Sequence, residues 1–401
     1  MEFDAEIALS YARAISRPRQ VGSGEDEQVA GEIASRLEQF GYQVERQPFQ
    51  FSTAPTWFLR LEILVGLLLI LMTGWARRYG PWAEALPVAM LLLLLFAIGP
   101  INRMVEANSV APDTNPPVSR WSALCLRMGD RYTSANLVAT RPDLPSDLTF
   151  PHLYLVAHYD SKSQWMSLAV RMALFTAAII GSLSFAGLTL LGLAHPSLAF
   201  AANVTGVVAV GAGLPLLFLD AGNASPGAID NASGVGMVLH LAECLARRSD
   251  LFDKLRVTVL MTSAEELTLR GASAFVHRNE EELRCQAESG GLYILNVDGT
   301  GVDGRLYMVP PSRRRVSHAT LAGLVRAACH ELQVPLRRFL LPGAMFDHIP
   351  FARCGFDAVS LIAVGGTSWA VHTPADSADK LHVRGFEQAG RVMLRVIEKL
   401  A

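Results

Sequence analysis

"VTVLMTSAEELTLRGA" (Val257 to Ala272) joins an apolar, β-rich run to two adjacent acids, Glu265 and Glu266. The run reads as a buried strand. Adjacent carboxylates at its end raise the free energy unless a cation or a proton relieves them. The pattern recurs along the chain. "HLYLVA" is followed by His158, Tyr159 and Asp160, "LYILNV" by Asp298, and "DAVSLIAV" by a stretch that reaches His372. Helical stretches lie between these runs, such as Ala232 to Arg247; nearer the start, Val29, Ile33, Leu37 and Phe40 recur at helical spacing before Gly41. Apolar strands alternating with helices predict an α/β fold, with a mixed, mostly parallel sheet covered by helices on both faces. In such sheets ligands gather beyond the carboxyl ends of the strands.

Composition narrows the function classes. The chain has 401 residues, 35 basic against 37 acidic, and a net charge of -2. No basic block marks a nucleic-acid partner. Five scattered cysteines without a CxxC pair fit reduced thiols better than a disulfide framework. Hydrophobic residues make up 51% of the chain, more than an ordinary soluble domain carries.

That excess sits in four segments, Leu59 to Trp75, Ala85 to Ile101, Met172 to Ala194 and Leu198 to Leu219. Each approaches the roughly 20 residues that cross a bilayer, and Trp57, Trp75, Tyr79, Trp82 and Trp165 flank them as interfacial aromatics do. The short links "ARRYGPWAE" and "HPS" pair them into two transmembrane hairpins, residues 57–101 and 165–220. Small residues in the second pair, among them Gly181 and Gly206, allow close helix approach. Each hairpin leaves and returns on one side. Residues 1–56, 102–164 and 221–401 therefore form one discontinuous domain in one compartment. The first 30 residues show no signal peptide. Arg77 and Arg78 in the first hairpin loop oppose Arg60, Arg103, Lys162 and Arg171 at the other ends, and the balance favours a cytoplasmic domain.

Together the strand ends supply His158, Asp160, Glu265, Glu266, Asp298 and His372, and Asp230 precedes a helix in "DNASG". Singly, each has a bland reading as a cap or a solvated residue. As a set they are a metal-site inventory.

In this order the motifs resemble the co-catalytic di-zinc aminopeptidases of the MH clan, a family that also contains glutamate carboxypeptidases and glutaminyl cyclases. The likeness rests on "AHYDS" (157–161), "DNASG" (230–234), "SAEE" (263–266), "NVDGTG" (296–301) and "VHTPADSADKL" (371–381), and "FDHIPF" adds to it. The resemblance implies a zinc exopeptidase fold interrupted by the two hairpins. It makes Asp230 a carboxylate bridging two zinc ions, with cobalt or manganese as substitutes. His158 and Asp298 complete one ion's ligands, and Glu266 and His372 the other's. Asp160 orients His158, and Glu265 is the general base.

The implied activity is removal of N-terminal residues from peptides by a membrane-anchored aminopeptidase. The second hairpin enters between Asp160 and Asp230, which places it at the rim of the cleft and suggests apolar or membrane-derived peptides as substrates. The alternatives are a carboxypeptidase or a glutaminyl cyclase of the same fold, or an inactive receptor or scaffold. No tyrosine lies in "LLPGAMFDHIPF" for the family's oxyanion role, Asp347 and His348 read as loop structure, and Arg313 to Arg315 read as a solvated turn. Residue preference and oligomeric state are not encoded legibly.

Overall fold

The computed structural model describes residues 3–112, 119–142, 150–248, 254–310, 320–340 and 344–401. Its strands are β1 (Gln43–Ser52), β2 (Val110–Ala111), β3 (Arg131–Thr140), β4 (His152–His158), β5 (Arg256–Thr262), β6 (Leu292–Asp298), β7 (Gly304–Val309), β8 (Leu336–Arg338) and β9 (Asp357–Gly365). They form one sheet in the order β2-β1-β3-β5-β4-β6-β9-β7-β8. The central strands β5, β4, β6 and β9 run parallel. The flanking pairs β1–β2, β1–β3, β3–β5 and β7–β9 are antiparallel, so the parallel character belongs to the middle of a mixed sheet.

The helices are α1 (Ala5–Ile15), α2 (Glu25–Gln39), α3 (Ala54–Ala76), α4 (Pro81–Asn108), α5 (Arg120–Cys125), α6 (Leu168–Gly192), α7 (Ala199–Leu216), α8 (Ser233–Ala246), α9 (Arg270–Ser289), α10 (Thr320–Glu331), α11 (His348–Arg353) and α12 (Val383–Leu400). Strand alternation sorts β4 between two cores. Leu153, Leu155 and Ala157 pack with residues of α1, α8 and α12, including Leu9, Val238 and Val392. Tyr154 and Val156 pack on the other face with Phe275 of α9 and Phe351 of α11. Both faces are thus covered, which is why β4 and β5 are mostly apolar on both sides rather than alternating. The order places β5 on one side of β4 and β6 on the other, so the crevice beyond their carboxyl ends is a topological switch point.

Four helices, α3, α4, α6 and α7, are long and apolar enough to cross a membrane. α3 and α4 start earlier and end later than the apolar runs alone suggest, because polar residues near their ends find partners, whereas α6 starts earlier but ends at Gly192 and α7 stops at Leu216. Glu62 accepts from Asn102 at 2.8 Å, and Arg77 contacts Glu84 at 2.7 Å and Asn203 at 3.1 Å. Leu69, Ile70, Leu91, Phe185 and Ala209 form their shared interior. Gly181 admits the backbone of α7: a Cβ there would stand 3.0 Å from Ala209 N. Leu93, Phe96, Phe200 and Val207 point outward and are exposed.

Candidate metal centre

The predicted site residues reach the same crevice from several elements, Glu265 and Glu266 sharing one. His158 is the last residue of β4 and Asp298 the last of β6. Glu265 and Glu266 follow β5 in a short turn, and His372 follows β9. Asp230 lies in the wide turn Ala228–Ala232 that feeds α8, where its peptide to Asn231 is cis.

The centre of the arrangement is Asp230. Its Oδ1 lies 3.1 Å from His158 Nε2 and its Oδ2 3.1 Å from His372 Nε2, so one carboxylate faces two imidazoles in opposite directions. Around His158 Nε2 stand Asp298 Oδ2 at 3.7 Å and Glu265 Oε2 at 4.0 Å. Beside His372 Nε2 stands Glu266 Oε2 at 3.0 Å. Two groups of potential ligands result, His158 with Glu265 and Asp298, and Asp230 with Glu266 and His372.

Backbone conformation and hydrogen bonding hold these groups. Asp160 accepts the N–H of Glu265 at 3.2 Å and that of Glu266 at 3.3 Å, with its Oδ1 3.4 Å from His158 Nδ1. The turn that carries the two glutamates contains three non-glycine residues in the left-handed region, Ala264 (φ 56), Thr268 (φ 78) and Leu269 (φ 59), and His372 is a fourth at φ 63. Such strain persists where the surroundings over-determine it, and it concentrates at functional sites. Arg270 supplies part of that restraint: its buried guanidinium donates to Leu267 O at 2.9 Å and to Glu106 O, at the end of α4, at 2.8 Å. Asp376 accepts from Ile229 N at 2.6 Å and Asp230 N at 3.3 Å. Asn231 ties the same turn to β6 through Val297 O at 2.9 Å and Gly299 N at 3.1 Å. Gly234 is required there, since a Cβ would meet Asn231 Oδ1 at 2.3 Å. Beneath the turn the fully buried Arg19 donates to Tyr159 O at 2.6 Å and Gly227 O at 2.8 Å.

The electrostatics are those of a crowded, dry acid cluster. Burial works against the Asp230 carboxylate, but the hydrogen bonds and charges of His158 and His372 outweigh it and hold its pKa well below the usual range. Burial pushes Glu265 well above it, and the charges of Glu266, Asp347 and Asp298 add to the rise. Asp298 is pushed to about 6 by burial and by Asp230. His158 Nε2, the ring nitrogen that faces the other carboxylates, and Glu266 Oε1 are buried without a hydrogen-bond partner among the described residues. Orphaned imidazole nitrogens and carboxylate oxygens at mutual distances within 4.8 Å fit divalent cations, and a nitrogen and oxygen set without thiolate suits zinc.

The model of peptidase family M28 matches residues 204–397, a stretch that includes Asp230, Glu265, Glu266, Asp298 and His372. Within the curated proteins, aminopeptidase YwaD of Bacillus subtilis is 28% identical over 182 residues, which are 43% of this chain and 37% of that protein, so the match spans well under half of the relative's length. The solved structure of BSAP, a zinc aminopeptidase from Bacillus subtilis, is similar at a TM-score of 0.56 and 16% identity over 99% of this chain and 95% of that one. An aminopeptidase from Aneurinibacillus sp. strain AM-1 gives 0.57 and 16% over 100% and 94%. The glutaminyl cyclase of Porphyromonas gingivalis gives 0.54 and 13% over 100% and 99%. The likeness to the solved structures establishes the zinc aminopeptidase fold, and the match to family M28 covers the second half of the chain.

Several site neighbours escape a sequence reading. Asp347, read as loop structure, is fully buried. A short helix begins at His348, which turns the Asp347 carboxyl inward to accept from Thr262, and burial raises it to about 7. His348 itself is buried and bonds Ser360 Oγ at 2.6 Å. Lys162 Nζ lies 2.9 Å from Glu266 Oε2, and Arg171 Nη2 lies 3.2 Å from His372 Nδ1, contacts that no local pattern announces. Arg313 to Arg315, and part of the stretch searched for an oxyanion-stabilising tyrosine, lie outside the described residues.

Proposed function

We propose that this chain is an M28-type peptidase, a membrane-anchored, zinc-dependent aminopeptidase that removes N-terminal residues from peptides. The observation that carries the reading is Asp230, whose two oxygens each face a histidine 3.1 Å away and divide the ligands into two sets. The set His158, Asp298 and Asp230 would hold one ion, and Glu266, His372 and Asp230 the other. Zinc ions held there supply Lewis acidity, polarising a carbonyl and acidifying water.

The chain's own groups do the rest. Glu265 stands at the first set with its carboxylate raised by burial, so it is suited to take a proton from the attacking water and deliver it to the leaving amine. Asp160 fixes the imidazole of His158 and the backbone of both glutamates, which aims Glu265 without a flexible intermediary. Burial of the cluster excludes bulk water and strengthens each of these interactions.

The four apolar helices would lie in the bilayer as two hairpins inserted into one domain made of residues 1–56, 102–164 and 221–401, with that domain on the cytoplasmic side. The second hairpin emerges at the rim of the crevice, where Gln164 N donates to His372 O at 2.9 Å. That position favours peptides with apolar or membrane-derived ends.

The test is turnover of aminoacyl chromogenic amides, N-blocked controls and N-terminal glutaminyl peptides by the detergent-purified protein, with chelator and zinc add-back. Zinc-dependent release from unblocked substrates alone supports the proposal. Release from blocked substrates transfers it to a carboxypeptidase or endopeptidase, and cyclisation of glutaminyl peptides to the glutaminyl cyclase reading that the fold also accommodates.

A further inference from the structure

The two ligand sets share Asp230 and differ in what stands behind their other members. His158 Nδ1 faces the carboxylate of Asp160 at 3.4 Å. A carboxylate in that position accepts the free ring N–H, fixes the ring and strengthens the opposite nitrogen as a ligand. His372 has the opposite neighbour: its Nδ1 lies 3.2 Å from Arg171 Nη2. A guanidinium offers donors only, while an imidazole that gives Nε2 to a metal carries its proton on Nδ1. Arg171 therefore opposes the metal-bound form of His372. Glu266 repeats the contrast, because Lys162 Nζ lies 2.9 Å from its Oε2 and 2.8 Å from its backbone oxygen. An ammonium there draws off carboxylate charge that a second cation would use.

Both basic residues are placed by the root of the second hairpin. Ser163 and Gly222 close that root through N–H to carbonyl bonds of 2.6 and 2.8 Å in the two directions. Ala224 N donates to Ser163 Oγ at 2.9 Å, and Gln164 grips the His372 carbonyl. Arg171 follows in the first turn of α6, and Lys162 immediately precedes the bridge. The root of the insertion, with Lys162 just before it and Arg171 inside it, thus brings two cations to one half of the centre and none to the half built on His158.

We infer that the two metal positions are unequal: the His158–Asp298 position fills first, and the Glu266–His372 position fills second, weakened by Lys162 and Arg171. The inference rests on the two-metal reading above and extends it to the residues at the hairpin's root.

The full-length protein in detergent, stripped with a chelator, is titrated with zinc; bound metal is counted by atomic emission, and affinities are read against a competing chromophoric chelator. The expected result is two ions, the second held at least about tenfold more weakly, in line with the roughly 10–100-fold influence of groups that contact metal ligands. Lys162→Met and Arg171→Gln should each tighten the second affinity by about tenfold, whereas Asp160→Asn should weaken the first. Thermal melts of each apo variant establish folding before titration, and cobalt absorption bands growing in two steps give an independent reading. Equal affinities in the wild type, or folded Lys162 and Arg171 variants whose second affinity does not move, would overturn the inference; with turnover intact, either result would leave the aminopeptidase reading standing. A folded wild type that binds no zinc at all overturns both.

Discussion

At the scale of single residues, the chemistry turns on Glu265 differing from Glu266 although the two are adjacent. Glu266 is drawn to His372 and Lys162. Glu265 has no basic partner closer than His158, at 4.0 Å, among the described residues, and burial raises its carboxyl. On the proposed two-zinc mechanism, Glu265→Gln should therefore leave the bound zinc count unchanged while kcat falls by roughly 10²–10⁴-fold, the usual worth of a positioned general base; a metal count beside steady-state kinetics checks both halves. A residue remote from the site gives a pH prediction. His152 is stacked on Tyr154 and bonded to Thr258 Oγ1 at 2.8 Å, and burial, with help from Arg256, lowers its pKa to about 3. It stays neutral in the fold while the unfolded chain takes up a proton near pH 6.5, so its contribution to stability is complete above that pH and declines as pH falls towards 3. The loss is about 1.4 kcal/mol per pH unit for one proton. Asp347 and Asp376, each raised to about 7 chiefly by burial, act in the opposite sense between about pH 4 and 7, so the measurable quantity is a difference. The melting temperature of His152→Gln should fall less than that of the wild type between pH 7.5 and 5.

At the scale of elements, the strand ends were legible because a buried parallel strand is apolar up to its last residue, so a polar residue there stands out. His158, Asp298 and the Glu265–Glu266 pair are visible in that way, and Asp230 through the glycine-bearing turn before α8. What stayed hidden depends on partners more than a hundred residues apart: Lys162 on Glu266, Arg171 on His372, and Arg19 on Gly227. The antiparallel flanks of the sheet were hidden for a related reason, since pairing direction depends on how connections return and a strand's own residues do not record it. Helix pairing in the hairpins was written more plainly, in small residues. Gly181 faces Ala209 so closely that Gly181→Leu must push α6 from α7, at about 1–3 kcal/mol for an overpacked contact. The variant's thermal midpoint in detergent should drop, while Gly187→Leu, with nothing within 4 Å of its added Cβ, should leave it nearly unchanged.

At the scale of the whole molecule, the outward faces of α3, α4, α6 and α7 carry exposed Leu71, Leu93, Phe96, Ile180 and Val207. So much contiguous apolar surface is unfavourable in water and favourable in lipid. The protein should therefore sediment with membranes and resist extraction by alkaline carbonate. In the proposed topology each hairpin returns to the side it left, so every part of the proposed peptidase domain shares that side and one reporter suffices to locate it. Cys285, on α9, is exposed, whereas Cys125, Cys244 and Cys329 are buried and Cys354 is only partly accessible. With the domain in the cytoplasm, a membrane-impermeant maleimide should leave Cys285 unlabelled in intact cells and modify it once the membrane is permeabilised. Cys285→Ser should remove most of that signal. Labelling of Cys285 in intact cells would place the metal centre outside and make Arg77 and Arg78 the cytoplasmic anchors of the first hairpin, in keeping with the preference of basic loops for that side.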